Sequence, residues 1–241
     1  MRKPGWARVA LAALCGITLA CGAAAQSLSP LRPAEAAMFP AVGVVNAQGP
    51  LGDPGCSGTL IAPNLVLTAA HCAGDGQGTR WFMPGGWGPR ARAAVPSARI
   101  KIHPAYGDRA GMARFAVDLA VLELATPLPA DLVRPLPFVG VDAPAGQAFA
   151  IIAFTRAMPG APVGRYDCPL TQGRLGGQME LACPVVSGNS GAPVLLRTAQ
   201  GWRVAGVVVA QLGSAAQGTA LIAPLERWLR EITAVPRPNI R

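Results

Sequence analysis

Residues 56–72 read CSGTLIAPNLVLTAAHC, and this stretch is where the fold can first be recognised. Two short apolar segments flank a Pro-Asn turn, a pattern that predicts a pair of neighbouring β-strands. His71 follows the second strand and precedes Cys72, which is placed to form a disulfide with Cys56. A disulfide closing a loop of this size restricts the unfolded chain by about 3 kcal/mol and fixes the backbone beside the histidine. Because a general base needs a fixed orientation, His71 is a candidate base.

A second informative stretch, VSGNSGAP, covers residues 186–193. A serine between glycines ahead of a strand lets the backbone turn tightly and expose the hydroxyl of Ser190. The amides of Gly188 and Ser190 would then converge on a developing oxyanion, and such donors contribute roughly 2.7–4 kcal/mol each in acyl transfer. The alternative interpretation is a Gly/Asn/Ser turn that only connects two strands.

The rest of the chain alternates short apolar segments with turns, and it contains 24 prolines and 29 glycines. This pattern is typical of an all-β sandwich or of a pair of barrels. One helix is predicted near the end, where four apolar residues recur at helical spacing after Pro224: Leu225, Trp228, Leu229 and Ile232. The predicted strands are 41–45, 56–61, 65–68, 80–82, 97–102, 119–124, 148–154, 179–182, 192–196, 204–209 and 219–222.

Three segments together resemble the signature blocks of chymotrypsin-type serine proteases. They are the Ser-Gly-Thr-Leu-Ile…Leu-Thr-Ala-Ala-His-Cys run, Asp-Leu-Ala-Val-Leu-Glu-Leu at 118–124 and Gly-Asn-Ser-Gly at 188–191, and they occur in the family's order. The resemblance implies an all-β fold of two six-stranded antiparallel β-barrels with a C-terminal helix. It implies one protease domain over residues 38–241, with the two barrels meeting near 131–146.

The resemblance also implies a role for each site residue. Ser190 would attack the scissile carbonyl, and His71 would take the serine proton and return it to the leaving amine. Asp118 would orient His71, although a residue that only begins a strand is the alternative for Asp118. The amides of Gly188 and Ser190 would form the oxyanion hole.

One position departs from the pattern of the animal digestive members. In those proteins an aspartate precedes the nucleophile and pairs with a freed N-terminus, whereas Asn189 is neutral and cannot form that ion pair. The Gly-Asn-Ser-Gly form resembles the bacterial branch that includes the glutamyl endopeptidases. Residues 26–37 are a candidate leader or propeptide, whose removal the sequence neither requires nor excludes.

The resemblance places the pocket for the substrate side chain before the cut (P1) on two segments. The candidate lining residues are Pro184, Val185 and Val186 on one side and Val208, Val209, Ala210 and Gln211 on the other. None of them is acidic, which argues against a preference for Arg or Lys, and none is a histidine, which argues against glutamyl specificity. An apolar or small P1 residue is therefore expected, and the alternative is that these valines belong to the barrel core.

The N-terminus has the layout of a secretory signal peptide over residues 1–25. Arg2, Lys3 and Arg8 precede the apolar run 9–20, which is followed by the small-residue stretch 23–25 before Gln26. The run is short for a membrane span, which needs roughly 20 apolar residues. The prediction is a secreted or periplasmic protein, with a lipoprotein site at Cys21 as the minor alternative.

Cysteine usage fits export, because four cysteines remain after the signal peptide, in two locally spaced pairs. Cys168 and Cys183 are predicted to clasp a β-hairpin that leads to Ser190, and a free-thiol role is the alternative. Zinc is a weaker interpretation, since neither pair has the short spacing of zinc ligands. No metal or cofactor is predicted, although calcium stays open.

The chain carries a formal net charge of +9, and removing the three basic residues of the signal peptide leaves 18 basic against 12 acidic residues, or +6. The arginines are scattered without a basic run, so a solvated surface is favoured over nucleic-acid binding. The expected partner is a protein or peptide substrate, and the expected state is a monomer. The leading function is a secreted serine endopeptidase, and the rival is an inactive binding protein with the same fold.

Overall fold

A computed structural model describes residues 27–139, 148–171, 177–214, 218–225 and 227–233 of the 241-residue chain. Residues 1–25, predicted above to be a signal peptide, and residues 234–241 lie outside these described residues, as does Cys21. The described part is mostly β-structure in two sheets, which confirms the predicted all-β class. None of its helices is long and apolar enough to cross a membrane.

The first sheet is a closed barrel of six strands: β2 (Val42–Asn46), β3 (Cys56–Ala62), β4 (Leu65–Thr68), β5 (Trp81–Pro84), β6 (Val95–Ile102) and β7 (Ala120–Leu124). Their order around the barrel is β2-β3-β4-β7-β6-β5, and every neighbouring pair is antiparallel. The predicted strand pair of residues 56–72 forms two adjacent strands of this barrel, with Thr59 opposite Leu67.

The second sheet has seven strands: β1 (Ser29–Pro30), β8 (Ala148–Ala153), β9 (Val163–Pro169), β10 (Met179–Leu181), β11 (Pro193–Thr198), β12 (Gly201–Leu212) and β13 (Thr219–Pro224). Their order is β1-β9-β8-β11-β12-β13-β10. A bridge between Leu170, just after β9, and Leu181 of β10 closes six of these strands into a ring, and β1 pairs with the start of β9.

The segment proposed as a leader and the segment between the barrels are partly described. From Ser27 onward, residues 26–37 contribute β1, which pairs with β9, and the short helix α1 (Pro33–Ala36). Between β7 and β8, residues up to 139 are described, and Val204 of β12 donates its amide to the carbonyl of Pro137.

The two barrels share a core. One cluster of buried apolar side chains contains residues of both, among them Leu67 and Val121 from the first barrel and Ile152 and Leu195 from the second. Burial of apolar surface on this scale is the dominant stabilising contribution in a domain of this size. The site described below lies where the two barrels meet.

The remaining helices are short: α2 (Ala70–Ala73), α3 (Met112–Phe115) and α4 (Arg227–Thr233). The last is the predicted C-terminal helix, and its Leu229 is fully buried in the shared core. Its Trp228 packs edge-on against the ring of His103, with 5.0 Å between ring centroids. His103 Nδ1 also accepts a hydrogen bond from the amide of Ala105. The contacts of this histidine therefore support the local structure.

Candidate active site

His71 and Asp118 form a hydrogen-bonded pair on the first barrel. His71 lies in α2, directly after β4, and Asp118 lies two residues before β7. The Nδ1 atom of His71 is 2.7 Å from Oδ2 of Asp118, and the backbone amide of His71 donates to Oδ1 at 3.0 Å. Both carboxylate oxygens are therefore used to hold one residue. With Nδ1 engaged as the donor, the other ring nitrogen, Nε2, is the one that can accept a proton.

The Asp118 side chain is only 4% exposed, whereas the His71 ring is 37% exposed. A buried carboxylate is stable only where hydrogen bonds compensate its lost hydration, which the two bonds from His71 do. Burial raises the pKa of the nearby Tyr106 phenol, and the negative charge of Asp118 raises that pKa further. Tyr106 therefore stays neutral beside the carboxylate at ordinary pH.

Ser190 lies in a tight turn before β11, here called the Ser190 loop (residues 186–191). Gly188 and Gly191 have φ of +98° and +83°, a region that favours glycine. The amides of Asn189 and Gly191 donate to carbonyls of Val186 and Val208 at 3.0 and 2.7 Å. Within the described ranges, the amides of Gly188 and Ser190 have no acceptor. Two amide donors of this loop are thus free to bind a ligand.

The direction of the Gly188 amide is fixed by a hydrogen bond to the carbonyl of the same peptide group. The carbonyl of Ser187 accepts a hydrogen bond from the amide of Arg156 at 3.1 Å. A trans peptide is planar, with its C=O and N–H on opposite sides. The N–H of Gly188 therefore points away from the segment around Arg156.

Asn189 is fully buried, and its side chain holds the Ser190 loop in place through two hydrogen bonds. Its Nδ2 donates to the carbonyl of Phe154 at 2.8 Å, and its Oδ1 accepts from the amide of Val186 at 2.7 Å. The neutral amide thus satisfies one acceptor and one donor within the domain. Both contacts fit the neutral residue that the sequence has at this position.

Ser57, on β3 of the first barrel, binds the Ser190 loop of the second barrel. Its amide donates to the carbonyl of Ser190 at 2.7 Å, and its Oγ donates to the carbonyl of Gly188 at 2.8 Å. The same Oγ accepts from the amide of Phe154 at 2.9 Å. A side chain at Gly191 would overlap the carbonyl of Ser57, so the loop packs directly against β3.

Ser190 and His71 are therefore carried on neighbouring segments. The Ser190 carbonyl binds the amide of Ser57, and Cys56, the residue before Ser57, forms a disulfide with Cys72, the residue after His71. Sequence reasoning assigned no role to Ser57. The available signal was a small polar side chain in a strand that is mostly buried, a signal that Thr59 of the same strand shares.

A cavity of about 370 Å³, here called the specificity cavity, opens beside Ser190. Most of the residues predicted to line the pocket do line this cavity, Pro184 and Val209 being the exceptions, and none of its lining residues is charged. Val209 is 3% exposed and packs in the shared core. The full lining is Val185, Val186, Ser187, Ser190, Val208, Ala210 and Gln211.

Both predicted disulfides, Cys56–Cys72 and Cys168–Cys183, are present. The second joins the end of β9 to the chain just after β10, and the turn residues 172–176 of the predicted hairpin lie outside the described residues. Among the described residues, the potential metal ligands that cluster are Cys56, His71 and Cys72. That group is unsuited to a metal, because both sulfurs are oxidised and Nδ1 of His71 binds Asp118.

Comparison with solved structures identifies the class of the fold. The chain superposes on the crystal structure of a thermostable serine protease, AL20, from an extremophilic microorganism, with a TM-score of 0.65. The alignment covers 81% of this chain and 95% of that chain at 18% identity. The fold is thus the chymotrypsin-like pair of β-barrels.

The family follows from the sequence itself. The Trypsin family model matches residues 31–229, which is most of the chain. The chain therefore belongs to the trypsin family, and this region is a serine-type endopeptidase domain.

Individual relatives match over different lengths. Serine protease SP24D of Anopheles gambiae is 29% identical over 205 residues, which cover 73% of this chain and 70% of that protein. Serine protease 56 of Homo sapiens is 41% identical over 106 residues, and the mouse protein of the same name is 39% identical over the same length. The match spans only 17% of the length of each mammalian protein.

Proposed function

We propose that the chain is an exported serine endopeptidase that hydrolyses peptide bonds through an acyl-enzyme. In this proposal Ser190 is the nucleophile, His71 is the general base and acid, and Asp118 orients His71. The amides of Gly188 and Ser190 form the oxyanion hole. The observation that carries the proposal is the 2.7 Å contact between His71 Nδ1 and Asp118, on a segment next to the one that carries Ser190.

The reaction balances with the residues named. Ser190 Oγ forms a bond to the scissile carbonyl carbon while its proton passes to Nε2 of His71, and the carbonyl oxygen becomes an oxyanion held by the two free amides. His71 then gives the proton to the nitrogen as the C–N bond breaks, which releases the amine and leaves the acyl-enzyme. Water then attacks the acyl-enzyme, again with His71 as base and then acid, which releases the carboxylic acid and restores Ser190. Asp118 stabilises the charged imidazole throughout.

The substrate preference in this proposal is a small or apolar P1 residue. Its support is the uncharged lining of the specificity cavity, with Val185, Val208 and Ala210 among the lining residues. We also assign the chain to the bacterial branch with the Gly-Asn-Ser-Gly form. The support for this is Asn189, whose side chain is hydrogen-bonded inside the domain by Phe154 and Val186.

Export belongs to the same proposal: residues 1–25 act as a signal peptide, and the mature chain begins at Gln26. The two disulfides support it, because such bonds persist outside the reducing cytoplasm. The proposed enzyme acts as a monomer on protein or peptide substrates and binds no nucleic acid. N-terminal sequencing of the protein recovered outside the cytoplasm tests the cleavage site, and an intact Met1 there would contradict it.

The test of the chemistry is labelling by a fluorophosphonate, which reacts with an activated serine. The exported wild-type protein is expected to be labelled and to cleave members of a peptide library. Ser190→Ala is expected to lose both, with turnover reduced by about 10⁶-fold. Ser29→Ala is the matched control, because Ser29 is exposed on β1 and should leave both unchanged.

Labelling that persists in Ser190→Ala would exclude Ser190 as the nucleophile. A folded wild-type protein that is never labelled and cuts no peptide would instead favour the inactive binding protein. Asp118→Asn tests the role of the carboxylate separately from that of the nucleophile. It should lower kcat by about 10⁴-fold although Ser190 is still present.

A further inference from the structure

Another cavity, here called the Trp87 cavity, shares no lining residue with the specificity cavity. Its volume is about 500 Å³, within the usual range of ligand pockets in proteins. One wall is the turn at residues 87–90 of the first barrel, and the other is the segment 158–161 between β8 and β9 of the second. Neither Ser190 nor His71 lines it, so the proposed chemistry gives it no role.

The lining of the Trp87 cavity is mainly apolar. Trp87 is half-buried and packs against the shared core, so its indole forms a firm wall. Met158 on the other side is 48% exposed, and prolines and an alanine complete the apolar part. Arg90 is the charged lining residue, and its Nη1 donates to the carbonyl of Gly160 at 3.5 Å. Trp, Met and Arg are the residue types enriched at the centres of protein interfaces, so this lining is typical of a binding surface.

The chain around the Trp87 cavity is basic. Residues 76–107 contain five basic and no acidic residues, and residues 143–166 contain two basic and no acidic residues. Across the part of the chain that the structure describes, Arg90, Arg92 and Arg156 form no ion pair with a carboxylate. Positive charges without a partner beside an apolar cavity favour an occupant that carries negative charge.

The segment 155–161 connects the Trp87 cavity to the candidate active site. The amide of Arg156 donates to the carbonyl of Ser187, and Arg156 lines a polar cavity of about 360 Å³ together with His71. Met158 follows two residues later, a distance of at most about 7 Å along the chain. In the proposed reaction His71 protonates the leaving amine, so the leaving part of a substrate begins beside His71. A substrate chain that passes Arg156 therefore reaches the Trp87 cavity within a few residues.

We propose that the Trp87 cavity is a docking site for an acidic segment of a protein substrate, a few residues after the cut. One apolar side chain of that segment packs against Trp87 and Met158, and its carboxylates lie near Arg90 and Arg156. The inference rests on the proposed function for its substrate, although docking itself requires no turnover. The C-terminal residues 234–241 do not suit the site, because they carry two arginines and no acidic residue.

The first experiment measures binding without cleavage. The exported protein carrying Ser190→Ala is titrated against a short fluorescent peptide with one Phe among Asp and Glu residues, and the anisotropy is recorded. Replacing that Phe by Ala is expected to weaken binding by about tenfold or more, because the burial of the aromatic ring is lost. Replacing the acidic residues by Asn and Gln is expected to weaken binding most strongly at low salt.

Two pairs of variants in the same protein locate the binding. Met158→Ala should weaken binding of the Phe peptide by about fivefold, whereas Met38→Ala, at a Met that is 53% exposed outside this cavity, should not. Arg90→Gln should lower both the affinity and its dependence on salt. Arg99→Gln removes the same charge from β6, where Arg99 pairs with Glu123, and should have little effect. Thermal midpoints check that all four variants are folded.

The second experiment tests whether docking assists cleavage. It compares kcat/KM for a short peptide that the enzyme cuts and for the same peptide extended after the cut by the acidic segment. The extended peptide is expected to be cut with a kcat/KM at least about tenfold higher, mainly through KM, because its second contact raises the effective concentration. Met158→Ala and Arg90→Gln should remove this advantage and leave cleavage of the short peptide unchanged.

Equal binding of the Phe and Ala peptides, or equal losses in Arg90→Gln and Arg99→Gln, would show only a general attraction to a basic surface and would overturn the inference. Wild-type dimers in sedimentation that dissociate in Met158→Ala would also overturn it, in favour of an interface between two copies of this chain. An enzyme that reacts with a fluorophosphonate but binds no acidic peptide would overturn the inference and leave the proposed function intact. A protein that binds the peptide but is never labelled would remove the proposed function and keep the docking site.

Discussion

The Ser190 loop and the specificity cavity lie side by side, and they are built in different ways. Hydrogen bonds from both barrels hold the loop: Ser57 binds it from the first barrel, and the carbonyl of Phe154 binds it through Asn189. The lining of the cavity is mostly apolar, and the hydrogen bond from Gln211 to Val185 joins its walls. A change in the loop leaves buried polar groups unpaired, whereas a change in the lining mainly alters volume.

This difference predicts two kinds of mutational effect. Loop variants should lose stability or turnover for every substrate by a common factor, because the loop supplies groups that all substrates need. Cavity variants should change the order of preference among substrates and leave the fold nearly as stable. Four variants, described from the largest expected effect to the smallest, test whether the two regions differ in this way.

Asn189→Asp should give the largest effect. The carboxylate has no N–H for the carbonyl of Phe154, and burying an unpaired charge costs about 3–5 kcal/mol of stability. The protonated acid can donate again, so burial and this bond raise the carboxyl pKa in the folded state. The loss of stability is therefore absent below the unfolded-state pKa and grows as the pH rises through the folded-state pKa. The measurement is the thermal midpoint as a function of pH.

The matched control for that variant is Asn64→Asp, which makes the same charge change in the turn between β3 and β4. Its midpoint should stay close to that of the wild type across the pH range. Equal pH-dependent losses in both variants would mean that the bond from Asn189 to Phe154 does not hold the Ser190 loop.

Gly188→Ala should lower kcat by about 10²–10³-fold for all peptides, the effect of losing one oxyanion donor. A Cβ there would meet the amide nitrogen of Arg156 at 2.7 Å at a φ of +98°, so the peptide that directs the Gly188 amide must shift. Gly201→Ala is the control, because Gly201 has a φ of +100° with no atom near its Cβ position. It should lower stability and leave kcat unchanged, and an equal loss of kcat in the control would contradict the prediction.

Ser57→Ala should lower the free energy of unfolding by about 1–3 kcal/mol. The carbonyl of Gly188 and the amide of Phe154 would both lose the Ser57 hydroxyl as their hydrogen-bond partner. Thr59→Val is the control on the same strand. Thr59 Oγ1 is buried without a hydrogen-bond partner among the described residues, so its removal should cost almost nothing. Chemical denaturation of both variants provides the comparison, and equal losses would show that packing of β3, and not hydrogen bonding to the loop, sets the effect.

Val186→Ala should have the smallest effect. Val186 is 43% exposed at the edge of the specificity cavity, and its backbone bonds to Asn189 do not depend on its side chain. We expect kcat/KM to change by less than about tenfold, and to change differently for Ala and Leu at P1. Val186 is the first residue of the Ser190 loop, but its side chain lines the cavity; a uniform loss across P1 residues would mean that it acts like the rest of the loop.

The best-predicted segments were those whose stabilising contacts are with residues close along the chain, where a local sequence pattern can show them. The strands of residues 56–72, the disulfide to Cys72 and the C-terminal helix all depend on neighbours close along the chain. Strand β9 was missed, because Gly164, Arg165 and Asp167 interrupt the apolar alternation. Its extended form depends on pairing with β8, a contact that local pattern does not show.

The lining of the cavity shows a second limit. The prediction placed residues 208–211 together on one wall, but the register between β12 and β13 shifts between Val208 and Ala210. Val209 is the extra residue of this bulge and packs in the core, while Ala210 and Gln211 after it both line the cavity. The bond between Asn189 and the carbonyl of Phe154 was equally hidden, because a backbone carbonyl carries no sequence signal.

The disulfide between Cys56 and Cys72 adjoins both Ser57, which holds the Ser190 loop, and His71. Thiol reductants acting on this single covalent bond would release the supports of the proposed base and the proposed nucleophile at the same time. The proposed peptidase activity would therefore depend on how oxidising the surroundings are. It would appear only once the disulfide between Cys56 and Cys72 has formed.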